Sequence, residues 1–588
     1  MTTRTTTTGT TTGTTTTGTR FSTRRWLRWA PFLLAALALV FLYAPPVVSL
    51  VVGSLRRGTL VTGTDWSLSA YPEVIGRLLE GGITGTAGAT ILYGGGSAVV
   101  ALLIGGALAF ITTRTNAPLR SLGYVTATGL IAIPALVYAI CWQLLLGRGG
   151  VLQSPLERFL ELFGVQDFVL SINNLAGMIW VDGANYAALA FFLLVGPMQS
   201  VDRNLEEAAL TSGASGWQLL RRVLLPLMLP SVLAVLLLTG VRTLESFSVP
   251  VIIGVPGGVT VMTTEIWLST QRLPPDESIA TAHSVLLVLL VVGFLWLYAR
   301  ASSNAARYQT VRGRGHLPRT VRLGGGRFVL LGLQLAAFLT LVVLPLAVVV
   351  WASVQPFYAG LDFTGFTLSH YGGLLEYDGL RRSMVNSVVT AVVAAALIML
   401  IASALSWIGL RLATGGQRRA LTLLGSFALA LPGLVIGLAL LQLYARLPVP
   451  IYGTLAILIL AYVTRFLPWG IRFSEAGFMS IHKELEEAGR VSGASTFQIG
   501  RRILGPLLVA PIAAGWTYVF FITARELETS VFLVTPDTPV IATLLLSVSD
   551  DGGKSQLATL SMFVVLTFGA LGFLVHTITR RRGVNHVR

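Results

Sequence analysis

The sequence predicts an all-α membrane protein with about twelve transmembrane helices, arranged as two parallel repeats of six helices. Three observations support this prediction. Of the 588 residues, 54% are hydrophobic and 12% are charged, about half of the charged share usual in a soluble globular protein. Twelve segments are apolar enough to cross a bilayer, and a stretch of 22 residues recurs in the second half. This composition excludes a disordered chain, a fibre and an ordinary soluble enzyme.

The twelve predicted spans follow from the rule that a transmembrane helix needs about 20 mostly apolar residues. Glycine and proline are frequent inside them, and membrane helices tolerate both when neighbouring helices satisfy the freed backbone groups. The predicted spans cover residues 29–53, 87–113, 121–146, 174–197, 223–247 and 278–299 in the first half, and 328–353, 384–410, 420–444, 452–472, 506–525 and 556–578 in the second.

The chain divides into four predicted regions. Residues 1–25 form a Thr/Gly-rich tail that has too little apolar surface to offset its ordering entropy, so we predict disorder there. Two transmembrane domains follow, at residues 26–302 and 327–588. Between them, residues 303–326 are rich in Arg and Gly and are predicted to form a cytoplasmic linker.

The distribution of basic residues orients the spans. If both termini are cytoplasmic, the inside segments hold 29 Lys and Arg, counting Arg472 at the cytoplasmic end of the tenth span, and the outside loops hold 10. Cytoplasmic loops of membrane proteins carry such an excess. The same rule explains the net charge of +16 without invoking nucleic acid as a partner. The chain is therefore predicted to lie in a membrane with both termini cytoplasmic.

No motif in the sequence indicates catalysis, a metal or a cofactor. Cys141 is the single cysteine, and the six histidines lack the spacing of metal ligands. The string Gly552-Gly553-Lys554-Ser555 resembles part of a phosphate-binding loop, but Val548 stands where the first glycine is required. We therefore expect ATP hydrolysis, if it drives the protein, to reside on a separate chain.

The internal repeat is the most informative feature. Residues 205–226 and 485–506 align without gaps at an offset of 280 and are identical at 13 of 22 positions. Each copy lies between the fourth and fifth predicted spans of its half, on the cytoplasmic side. Because six spans per half preserve orientation, the two halves are parallel repeats, unlike the inverted repeats of many secondary transporters.

Each copy is predicted to form a cytoplasmic elbow, meaning two short helices joined by a turn. Glu206 and Glu207 lie among good helix formers and are predicted to be exposed. Gly213 then permits a backbone conformation that other residues resist, and Gly493 does so in the second copy. Exposed carboxylates beside a small-residue turn indicate a docking surface; the alternative is a solvated helix that merely links two spans.

The elbows resemble the EAA signature of permease subunits in binding-protein-dependent ABC importers. In that family the elbow docks into a groove on the ATPase subunit. The resemblance departs from the signature at Gly489 and Gly505. It implies ATPase-coupling roles for Glu206, Glu207, Ala208, Ala209, Gly213 and Pro226, and for Glu486, Glu487, Ala488, Gly493 and Pro506.

Other stretches resemble the fused two-domain permeases of ferric-iron importers, with thiamine, polyamine and aminoalkylphosphonate permeases as close relatives. The segments are LEEAALTSGAS at 205–215 with LESFSVPVIIGVPGGV at 244–259, and LPGLVIGLAL at 431–440 with YGTLAILILAYVTRFLPWGIRF at 452–473. The resemblance implies a transport permease of the bacterial inner membrane rather than an enzyme. Its implied partners are two copies of an ABC ATPase, an extracytoplasmic substrate-binding protein and the lipid membrane.

Charged residues within the spans are candidates for a translocation pathway, because ionisable groups in a membrane are costly. Arg242 with Glu245, and Arg525 with Glu528, are spaced as i,i+3 pairs; they either line an outer gate or neutralise each other locally. Asp182 and Arg465 lie deeper and either line the pathway or pack against neighbours. A rival function, an ion-coupled secondary transporter, would need membrane carboxylates such as Asp182.

Overall fold

The computed structural model describes residues 20–57, 65–164, 171–201, 203–303, 323–358 and 365–585. Most of the predicted tail (1–25) and of the predicted linker (303–326) lies outside these ranges. Within them the chain is almost entirely helical, apart from an antiparallel ribbon of β1 (Arg56–Arg57) and β2 (Asp65–Trp66).

The helices of the first half include those that form its predicted spans. They are α1 (Arg20–Ser54), α2 (Ala70–Leu79), α3 (Thr86–Arg114), α4 (Leu122–Ala132), α5 (Ala135–Leu146), α6 (Gln153–Glu161), α7 (Leu175–Ser200), α8 (Arg203–Thr211), α9 (Gly216–Leu219), α10 (Leu225–Glu245), α11 (Met262–Gln271) and α12 (Glu277–Ser303).

The second half repeats this order with two differences within the described residues: α13 and α14 together correspond to α1, and there is no counterpart of α6. Its helices are α13 (Gly326–Phe338), α14 (Leu344–Ser353), α15 (Ser369–Glu376), α16 (Asp378–Trp407), α17 (Gly415–Ser426), α18 (Gly433–Arg446), α19 (Leu455–Met479), α20 (Lys483–Val491), α21 (Thr496–Ile499), α22 (Gly505–Ala524), α23 (Ile541–Asp550) and α24 (Lys554–Asn585).

The predicted polytopic all-α fold is confirmed. In the described ranges, ten helical stretches are long and apolar enough to cross a membrane, or up to thirteen spans if three bent helix pairs are included. Ten of the twelve predicted spans are such stretches. The structure therefore agrees with about twelve spans in two parallel repeats.

Two predicted spans, 121–146 and 420–444, are not straight helices. The first breaks between α4 and α5 with a bend of 99°, and the second breaks before α18 with a bend of 95°. Pro134 and Pro432 lie at the two breaks, where a proline ring removes a backbone donor and clashes with the preceding turn. A third bent pair, Pro250–Gly257 with Met262–Gln271, occupies a segment predicted as an external loop.

The two largest hydrophobic cores each contain residues from both halves. The larger core joins first-half helices to α14 and α24, through buried residues such as Val349 and Leu560. The second core joins second-half helices to α1 through Leu39 and Tyr43. In keeping with this exchange, α5 packs against α14 and α24, and α18 packs against α1 and α12. The interface between the halves is thus a continuous packed interior.

Candidate functional site

The two elbows have the same backbone structure. Gly213 and Gly493 both adopt a left-handed conformation with φ of 82°. The amide of Ala214 donates to the carbonyl of Ala209 at 3.0 Å, and Ala494 donates to Gly489 in the same way at 3.0 Å. These bonds close each first helix in the manner typical of a glycine C-terminal cap. The predicted need for glycine at both turns is confirmed.

The second helix of each elbow begins with a reciprocal cap. The Ser215 amide donates to the Gln218 side chain at 2.9 Å, and the Gln218 amide donates to the Ser215 hydroxyl at 3.3 Å. Ser495 and Gln498 repeat both bonds. One π-helical turn, at Leu220–Leu224 or Gly500–Leu504, then joins each elbow to its fifth span. Pro226 and Pro506 lie in the first turn of that span. A backbone N–H there has no acceptor within the helix, so a proline costs no hydrogen bond.

The first glutamate of each elbow is buried, so its predicted exposure is wrong. Glu206 pairs with Arg114 at 2.5 Å, and both side chains are only 3% exposed. Glu486 pairs with Arg411 at 2.5 Å and is likewise buried. Both arginines lie at the end of the second span of their half. These residues therefore hold each elbow to its own transmembrane domain.

Arg411 extends this anchoring to a third element. Its guanidinium also donates to the carbonyl oxygens of Phe478 and Ile481, at 3.2 and 3.3 Å, where α19 ends. The second elbow is thus fastened to the second and fourth spans together. The sequence contains a signal for this arrangement, since Arg114 and Arg411 both follow the second span of a half, but it does not indicate their partners.

The outer faces of the elbows combine acidic, small and aromatic residues. Glu487 is exposed and Glu207 is half-buried. Ala208 and Ala488 are exposed, and Ala209 is half-buried. The sequence analysis missed two aromatic side chains at matching positions: Trp217 is 66% exposed and Phe497 is 76% exposed. Large apolar side chains exposed beside charges are typical of interaction surfaces.

The charged residues of the spans gather where the two halves meet. Asp182 is buried and accepts a hydrogen bond of 2.5 Å from the hydroxyl of Tyr93. Arg242 and Glu245 form the predicted i,i+3 ion pair, at 3.4 Å. Arg242 and Glu245 from the first half line a small cavity together with Arg465, Phe466 and Trp469 and with Ala428, Leu429 and Leu431 from the second.

The predicted pairing of Arg525 with Glu528 is wrong. Glu528 binds Arg465, which also binds Glu526. The physical reason is the position of each pair relative to its helix end: α10 includes Arg242 and Glu245, whereas α22 ends at Ala524, before Arg525. Beyond the helix end, Glu528 no longer lies one turn from Arg525. Arg525 instead donates to the backbone carbonyl of Ile131 in the other half, at 3.0 Å.

The side chain of Arg465 lies against the start of α18, just after the break in its own half. A methyl group built on Gly433, the first residue of α18, would overlap the Arg465 guanidinium. At the equivalent positions of the first half, the chain has Ala135 and Asn185. The half with the large arginine has the glycine, and the half with the smaller asparagine has the alanine. Glycine at 433 therefore makes room for the arginine.

This contact leads to a prediction for Gly433→Ala. The added methyl group should displace Arg465 from Glu526 and Glu528 and lower the free energy of unfolding by about 1–3 kcal/mol, as overpacking commonly does. Thermal unfolding of the purified protein in detergent would measure the change. Gly332→Ala is the matched control, because a methyl group there meets no atom within 4 Å. Equal stability of the two variants would contradict the packing argument.

The described residues contain no group of three or more His, Cys, Asp and Glu side chains able to hold a metal ion. His283 is buried, and its Nδ1 lies 3.0 Å from the carbonyl oxygen of Ile279, so it fills a packed position within its helix.

Comparison with known proteins identifies relatives along most of the chain. It is 27% identical to the ferric transport system permease protein FbpB of Actinobacillus pleuropneumoniae, over 82% of this chain and 69% of that protein. It is 26% identical to a putative ferric transport system permease, FbpB 1, of Haemophilus influenzae, over 75% and 69%. A putative 2-aminoethylphosphonate permease, PhnV of Salmonella paratyphi A, is 24% identical over 42% of this chain and 92% of its own length.

One protein family matches the chain twice, once in each half. The match covers residues 79–304 and 406–582, which include both elbows and all the charged residues described above. Members of this family are the membrane components of ABC importers and work with ATPase and substrate-binding partners, so the chain is a transport protein of the bacterial inner membrane rather than an enzyme. It belongs to the family of binding-protein-dependent transport system inner membrane components.

Proposed function

We propose that this chain forms the complete translocation pathway of an ABC importer for ferric iron. A separate extracytoplasmic binding protein delivers the cargo, and a separate ATPase, present in two copies, hydrolyses ATP at the cytoplasmic face. The doubled elbow is the observation that supports this proposal, because one chain presents two equivalent docking surfaces. Both termini and the linker are then cytoplasmic, in agreement with the excess of Arg and Lys on that side.

Iron is the cargo that the relatives favour. The two ferric permeases match this chain across both halves, whereas the 2-aminoethylphosphonate permease matches less than half of it. The second candidate cargo is therefore an aminoalkylphosphonate. We assign the selection between cargoes mainly to the binding protein.

Each elbow has two faces with different proposed roles. Glu207, Glu487 and the alanines beside them, with Trp217 and Phe497, form the face that meets the ATPase. Glu206 and Glu486 form the inner face and pass motion to the spans through Arg114 and Arg411. Gly213 and Gly493 set the angle between the two helices, and Pro226 and Pro506 begin the spans that receive the motion.

The charged cluster between the halves lies on the proposed pathway. Asp182, Arg242, Glu245, Arg465, Arg525 and Glu528 lie on helices or turns of both halves, and the small cavity beside Arg242 is lined by residues of both halves. A pathway that opens alternately to either side of the membrane must pass through the interface between the two repeats, because that is where they can move apart.

Reconstitution tests the proposal. Proteoliposomes containing this chain, the ATPase and the binding protein should take up radiolabelled ferric iron only when ATP is supplied to the ATPase side. The chain alone should neither bind nor hydrolyse ATP. Excess 2-aminoethylphosphonate should not compete with iron. Uptake by the chain alone under an ion gradient would overturn the proposal in favour of a secondary transporter, and uptake of the phosphonate instead of iron would correct the cargo.

A further inference from the structure

Two arginines begin the same short sequence in the two halves but make different contacts. Arg242 and Arg525 each begin the sequence Arg-x-Leu-Glu, at an offset of 283 residues. Arg242 lies inside the last turn of α10, and Arg525 is the first residue after α22. One arginine therefore lies within its helix and the other beyond it, and their side chains have different partners.

Arg525 reaches across the interface between the halves. Its Nη1 donates to the carbonyl oxygen of Ile131 at 3.0 Å. Ile131 lies in the last turn of α4, just before the bend of 99° at Pro134. The bend removes the amide that would bond to this carbonyl in a continuous helix, and the negative end of the helix dipole favours a cation there. Arg525 therefore supplies a missing donor to the other half.

Arg242 does not make the equivalent bond. Its counterpart of Ile131 is Leu429, since Pro432 of the second break corresponds to Pro134 of the first. Arg242 and Leu429 line the same small cavity, but the Arg242 guanidinium pairs with Glu245 at 3.4 Å and stacks over Trp469 at 5.5 Å. Its side chain remains 32% exposed. Thus an arginine bridges the two halves at the break after α4, whereas a small cavity lies at the equivalent break before α18.

We propose that Arg525 is a latch that holds the two halves together at the break of α4, and that the transport cycle must release it before the pathway opens. Arg525 acts as a positioning residue, through the Ile131 carbonyl, and Arg242 has no latching role. This inference rests on the proposed location of the pathway between the halves. Ile131 is 48% exposed and belongs to neither hydrophobic core, so this bond can be broken without disturbing them.

Cross-linking tests the contact itself. In the full chain carrying Cys141→Ala, Ile131 and Arg525 are each replaced by cysteine. A short, cleavable bifunctional thiol reagent is then added to the complex of this chain with its ATPase. The pair should cross-link in the resting complex, and ATP binding should reduce the yield at least threefold. The cross-linked complex should lose transport and regain it after cleavage of the reagent. Unchanged transport in the cross-linked complex would overturn the latch, because the halves would then not separate there.

ATPase activity tests release without reference to any cargo. In the absence of binding protein, Arg525→Ala should raise the basal ATPase activity of the complex about threefold or more. The bond to Ile131 would then no longer oppose the separation of the two halves during the ATPase cycle. Arg525→Lys, which keeps the charge and a donor, should restore most of the control value. Arg381→Ala, which removes an exposed arginine of the same half, should stay near the wild-type rate. An unchanged rate in Arg525→Ala, or an equal rise in both alanine variants, would contradict the proposal even if the cargo were not iron.

Discussion

Replacing Arg465 by methionine should lower the free energy of unfolding by about 3–5 kcal/mol, the range found when one partner of a buried ion pair is removed. Arg465 is the shared partner of Glu526 and Glu528, and its guanidinium also donates to the Thr529 hydroxyl at 3.0 Å. All three charged side chains are less than one-fifth exposed. Methionine would leave two carboxylates close together without a cation. Denaturant or thermal unfolding of the purified protein in detergent would measure the loss.

An exposed ion pair in the same domain provides the control. Arg381 and Asp378 lie 3.5 Å apart with side chains 77% and 76% exposed, and such pairs contribute at most about 1 kcal/mol. Arg381→Met should therefore change stability little. Adding Glu526→Gln and Glu528→Gln to Arg465→Met should recover much of the loss, because no unpaired charge then remains. If Arg465→Met and Arg381→Met were equally stable, the buried cluster would not stabilise the fold.

Substituting the buried glutamate of an elbow should uncouple transport from ATP hydrolysis. Glu486→Ala leaves Arg411 buried without its carboxylate and should lower the free energy of unfolding by about 3–5 kcal/mol. The elbow should then lose its attachment to the second span, so iron uptake per ATP hydrolysed should fall at least tenfold. Glu206→Ala should act in the same direction through Arg114, although Arg411 is the more deeply connected anchor. Uptake and ATPase assays in the same proteoliposomes would measure the ratio.

The neighbouring glutamate separates anchoring from docking. Glu487 is exposed on the face assigned to the ATPase. Glu487→Ala should leave stability within about 0.5 kcal/mol of the native chain, as surface substitutions usually do, and should instead reduce co-purification with the ATPase. Reversing the buried pair, as Arg411→Glu with Glu486→Arg, should restore part of the coupling. Identical behaviour of Glu486→Ala and Glu487→Ala would contradict the division of the elbow into two faces.

Features that depend on local chain properties could be predicted from the sequence. Ten of the twelve spans are confirmed, because the length of an apolar stretch decides whether a helix can cross a bilayer. The left-handed turns at Gly213 and Gly493 are confirmed, because only glycine adopts that conformation without strain. The ion pair of Arg242 with Glu245 is confirmed, because i,i+3 residues are neighbours on any helix.

Only the tertiary structure decided the partners of the remaining charges. Glu206 and Arg114 are 92 residues apart in the chain, and Arg525 and Ile131 are 394 apart. The sequence marks Glu206, Arg114 and Arg525 as charged, but their contacts depend on how the spans pack against one another. The breaks at Pro134 and Pro432 were missed for a related reason. Membrane helices often contain proline, and whether such a helix kinks slightly or turns by more than 90° depends on the neighbours that satisfy the freed backbone groups.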